Sequence, residues 1–134
     1  MDTINLQDAE GEKVEVISIL DHATGYHVVK KIGGRKSTDL ATDFNDAWSI
    51  WAGPPIKLTC DQERGFMKEF VDHMEMCGTQ VRYTAGQAHW QHGVIERQNF
   101  WYRNIWDKVV AHTQPTVEEI DYVLSVVAAA KNNL

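Results

Sequence analysis

The chain has 134 residues, 43% hydrophobic and 24% charged with no low-complexity tract, the make-up of one globular domain with its own core. No apolar run approaches the ~20 residues of a membrane span, and two cysteines, Cys60 and Cys77, are too few for a disulfide framework, which fits a reducing, intracellular setting. The net charge of −6 excludes a protein that grips nucleic acid by its own charge alone, because phosphate neutralisation normally supplies most of that affinity.

Residues 1–7 read as a short strand, and Asp8-Ala9-Glu10-Gly11-Glu12 as an acidic hairpin turn with no function of its own. Val14 to Leu20 is nearly continuous in apolar, largely β-branched residues, as in a strand buried on both faces. Asp21 to Gly25 turns the chain into a third strand from Tyr26 to Ile32, completing an antiparallel meander. Gly33-Gly34-Arg35-Lys36 breaks the pattern. That glycine pair lacks the flanking signature of a phosphate cradle and reads as a plain turn. Ser37 or Thr38 is placed to cap a helix in which Leu40, Phe44, Ala47, Trp48 and Trp51 share one face, and Gly53-Pro54-Pro55 stops it.

Ile56, Leu58 and Cys60 alternate along a fourth strand that ends at Asp61. A second helix follows, with Phe66, Phe70, Met74 and Cys77 as its expected inner stripe and Gly78 as its stop. Thr79 to Thr84 makes a fifth strand. Residues 85–93 have no steady period and read as a mobile loop, with His89 and His92 as loop residues because no cysteine pair stands at zinc-finger spacing. A helix from about Gly93 to His112 then places Glu96, Asn99 and Arg103 on one face and Trp101, Ile105 and Val109 on another. Thr116-Val117-Glu118-Glu119 is a capping box that opens a last helix, apolar over a wide arc through Ile120, Leu124, Val127 and Ala128. The order predicts an α/β fold, a mixed sheet of three antiparallel strands plus two more, flanked by helices.

Three acids stand out on these elements: Asp2 on the first strand, Asp61 after the fourth and Glu96 on the long helix. Carboxylates converging from two strands and a helix are the ligands a hard divalent cation takes.

With the elements placed, three segments resemble the catalytic core domain of retroviral and long-terminal-repeat retrotransposon integrases, within the ribonuclease-H-like superfamily. They are Asp2 with the hairpin and Ile19 to Tyr26, then Asp61-Gln62-Glu63-Arg64-Gly65-Phe66, then His89 to Arg97. Asp61 and Glu96 have 34 residues between them, one short of the usual family spacing.

The resemblance implies a five-stranded ribonuclease-H-like sheet and DNA 3′-end processing and strand transfer by in-line phosphoryl transfer. Asp2, Asp61 and Glu96 would be the catalytic residues and the ligands of two Mg²⁺ or Mn²⁺ ions. Gln91, His92, Arg97 and Arg103 would contact DNA, both element ends and target. A homodimer through the first and last long helices is implied, with a place in a virus-like particle and the host nucleus. Residues 1–134 are read as a single excised core, without the flanking zinc-binding and C-terminal domains. Two other expectations stand beside this one: a catalytically inactive, domesticated integrase-like dimerisation or scaffold module, and another ribonuclease-H-like nuclease or transposase.

Overall fold

A computed structural model describes residues 1–61, 64–84 and 89–133. Strands β1 (Asp2–Gln7), β2 (Lys13–Leu20) and β3 (His27–Lys31) form the antiparallel meander, with Asp2 opposite Ser18 and Ser18 opposite Val29. Strands β4 (Lys57–Cys60) and β5 (Gln80–Tyr83) pair in parallel. The Met1 nitrogen donates to Thr59 O at 2.8 Å and ties the edge of β1 to β4, linking the two ladders into one mixed sheet.

Helix α1 (Ser37–Phe44) runs on through a π-helical turn (Asn45–Ser49) to a last turn at Ile50–Ala52. Ser37 is its first residue, preceded by Lys36 with no side-chain cap, so neither Ser37 nor Thr38 caps it as expected. A 3₁₀ turn (Arg64–Phe66) leads to α2 (Glu69–Met76). Phe66, Phe70 and Met74 are buried but Cys77 is exposed, because it lies past the end of the helix. Helix α3 (His89–Thr113) begins a turn earlier than Gly93, and α4 (Ile120–Asn132) closes the fold. In the turn before α4, the Glu119 carboxylate accepts the Thr116 N–H and hydroxyl at 3.2 and 2.8 Å, as the capping-box sequence predicts.

Alternation along β2 divides the core. Val14 and Val16 face α3 and α4, packing with Tyr102, Trp106, Val110, Leu124 and Val127. Ile17 and Ile19 face α1 and α2, packing with Leu40, Phe44, Phe66 and Phe70. A sheet covered on both sides needs β2 to be apolar on both, which its sequence is. Its one buried polar residue, Ser18, lies on the α3 side.

Candidate functional site

Asp2 opens β1, and Asp61 directly follows β4. The Met1 nitrogen, next to Asp2, donates to Thr59 O, two residues before Asp61, which puts the two acids at the same end of the sheet. Protein groups already engage them. Asp2 Oδ1 accepts the Thr3 N–H at 2.8 Å, and Oδ2 stands 3.4 Å from Asn99 Nδ2. Asp61 Oδ1 accepts the Thr84 hydroxyl at 2.7 Å. Glu96 is exposed on α3, about a turn before Asn99.

Behind Asp2 lies a chain of buried polar groups. Ser18 Oγ donates to Asn99 Oδ1 at 2.5 Å and lies 2.6 Å from His27 Nε2. A hydroxyl has one proton. Since Ser18 gives it to Asn99, His27 must donate to Ser18 through Nε2–H, and its Nδ1 carries a bare lone pair. Nδ1 is indeed buried without a partner. Every donor therefore points the same way, from His27 through Ser18 and Asn99 to Asp2. Burial first, then the positive charges of Lys131 and Met1, hold the His27 pKa down to about 3, so the ring is neutral.

His27 is also fixed from the last helix. Its backbone N–H donates to Asn132 Oδ1 at 2.9 Å, and its carbonyl accepts from Asn132 Nδ2 at 2.8 Å. Lys131 Nζ donates to Gln98 Oε1 at 2.5 Å, and the His27 ring meets Tyr102 edge-on at 5.6 Å. Sequence reasoning missed this assembly. A serine inside an apolar strand, a histidine at the head of another and an asparagine in phase with the apolar stripe of a helix are the signals it carries.

No protein-family model and no curated protein matches the sequence. Solved structures do match. A chain of the simian T-cell lymphotropic virus intasome, solved in complex with PP2A regulatory subunit B56 gamma, superposes with TM-score 0.80 at 15% identity, over 95% of this chain and 45% of that one. The catalytic core domain of BIV integrase gives 0.76 at 12% identity, covering 96% and 80%. The HTLV-2 integrase catalytic core domain, in complex with magnesium in a dimeric form, gives 0.77 at 16% identity, covering 95% and 79%. This chain has the retroviral integrase core fold. It spans under half of the intasome chain it matches.

The integrase core fold brings the expected two-metal centre to a test. Mg²⁺ takes oxygen ligands in a near-octahedral array, and a two-ion centre needs carboxylates that converge on both ions. Among the described residues, no three His, Cys, Asp or Glu side chains converge to hold a metal. Asp2 has protein donors at both oxygens, and one of them is a neutral amide from α3. The donor set does not fit the ions. This overturns the expectation of a metal-dependent polynucleotidyl transferase, integrase or endonuclease with Mg²⁺ or Mn²⁺. Of the residues expected to contact DNA, Arg97 and Arg103 are exposed on α3, while the side chains of Gln91 and His92 lie outside the described set.

Other features of the surface are apolar. Tyr122 and Val126 project from α4 at 73% and 41% exposure, and Ile50 and Trp51 from the turn that ends the α1 segment. A groove of about 720 Å³ runs between β3 and α4, lined by Val28, Lys30, Ala47, Asp121, Leu124 and Ser125 among others. Among the described residues, no helix is long and apolar enough to cross a membrane.

Proposed function

We propose that this chain is a catalytically silent integrase-fold module that works by self-association, through a face built from α1 and α4, and that meets nucleic acid inside the cell. The observation that carries the reading is Asp2 held by Thr3 and Asn99 in a fold where no metal-capable group forms among the described residues. Large apolar side chains left exposed on α4 and at the end of the α1 segment support the association face, because they offer apolar area that a second copy would bury. The HTLV-2 core, in the same fold, is known in a dimeric and in a trimeric form, which supports self-association. Arg97 and Arg103, exposed along α3, are the residues we assign to phosphate; they would fix position without reading sequence. Particle and nuclear localisation belong to the same proposal.

Sedimentation of the chain at tens of micromolar tests it. The proposal expects a dimer that Tyr122→Glu converts to a folded monomer, since that side chain contributes little to the monomer core. A wild-type monomer, or a dimer indifferent to the substitution, would count against the face.

A further inference from the structure

We propose that His27 is an acid-released latch between the last helix and the sheet: protonating its ring frees the final turn of α4 and thereby weakens self-association. The second half rests on the association face proposed above; the first half does not.

The geometry makes the imidazole a closed position with no room for a second proton. Nε2 already donates to Ser18, whose own proton goes to Asn99, whose amide is turned to Asp2. Reversing one bond would therefore require reversing all of them against a carboxylate that can only accept. The added proton must go to Nδ1, which is buried and has no acceptor. A buried donor left unpaired loses its hydration with no return.

The surroundings offer no relief. From β2 the ring faces Ser18. From α3 it meets Tyr102, whose hydroxyl is committed to Leu124 O at 2.8 Å, with Asn99 on the far side of Ser18 Oγ. From α4 it faces Lys131, a like charge once the ring is protonated, and Asn132. The Met1 nitrogen adds positive charge from the sheet end, and Asp2 lies behind Asn99. A charged His27 escapes only by leaving the core. Both of its backbone groups are bonded to Asn132, so its departure releases the last turn of α4, the helix that presents Tyr122 and Val126.

Amide hydrogen exchange along α4, corrected for intrinsic rates and followed from about pH 7.5 to about pH 4.5, reads the latch within one chain, because ordinary carboxylates titrate below that window. The opening constant of the last turn should rise about tenfold per pH unit once the pH is below ~6.5, the dependence of a single proton. His27→Gln keeps an Nε2 donor for Ser18 and does not titrate, so its opening should be flat. Asn132→Ala removes the clamp itself: opening should already be raised at neutral pH and should not steepen with acid. A flat wild-type profile, or an acid slope that survives in either variant, would overturn the latch. Sedimentation at both ends of the range separates the two ideas. A monomer at neutral pH defeats the association face and leaves the exchange result standing. A dimer equally tight at both pH values, while the last turn opens, defeats the regulatory half.

Discussion

Asn99 Nδ2 stands 3.4 Å from Asp2 Oδ2, an amide of α3 against a carboxylate of β1. The helix sets this contact. Ile95, Asn99, Tyr102, Trp106 and Val110 recur at three- and four-residue spacing and are all buried, so the stripe that faces the sheet carries an amide at its polar end. Glu96, one residue past Ile95, is turned about 100° away from that stripe by the helical repeat. An amide suits the place because it donates to a carboxylate and accepts from a hydroxyl at once, as neither Asp nor Leu could.

Asn99→Leu keeps the volume roughly constant and removes both bonds. Ser18 loses its acceptor and Asp2 one of its donors, each in or near the core. The expected cost is about 1–3 kcal/mol, read as a lower urea midpoint with an unchanged slope. Retention of the wild-type midpoint would show that the polar chain carries no stability.

Trp106 is fully buried at the centre of the α3–sheet contact, and its Nε1 donates to Gln7 O at 2.7 Å. Trp106→Ala opens a cavity and strands that carbonyl, with an expected loss of about 3–5 kcal/mol. Trp101, on the same helix and 54% exposed, should tolerate the same change within ~0.5 kcal/mol in the monomer. Thermal unfolding of the pair checks the contrast.

Much of this fold was legible in the residues. The five strands fall where the apolar runs and turn residues put them, although Ile56 lies before β4 and is 80% exposed, and the Thr116–Glu119 box stands just before α4. What the residues did not disclose is tertiary. Helical spacing puts Asn99 on a polar face with Glu96 and Arg103, yet the sheet offers Ser18 and Asp2 as partners that make its burial tolerable. Gly93 does not mark the start of its helix, which begins at His89, since one glycine lowers helix propensity by only ~1 kcal/mol and does not stop it. The acids were in the right order along the chain. Order does not fix convergence in space, and among the described residues no metal-capable group forms.

Stability should fall in two separate stages on acidification. The His27 pKa is lowered on folding from about 6.5 to about 3, so its contribution is complete above ~6.5 and is lost as pH falls toward 3, by about 1.4 kcal/mol per unit at most. Glu15, held down to about 2 by hydrogen bonds first from Arg35 and then from Lys13, contributes only above the ordinary carboxylate range and loses that contribution below it. Glu15 is solvated, so its stage is the shallower one. Urea midpoints against pH should therefore decline from about pH 6.5 in the wild type and only from about pH 4.5 in His27→Gln.

The most direct test of the central claim is a calorimetric titration of the folded chain with Mg²⁺ and Mn²⁺ at millimolar concentrations, beside Asp61→Asn. A protein whose Asp2 is held by Thr3 and Asn99, and whose described residues assemble no metal-capable group, should give no saturable heat with either ion, with the substitution making no difference. Saturable binding that Asp61→Asn abolishes would contradict the account and restore a carboxylate metal centre to this end of the sheet.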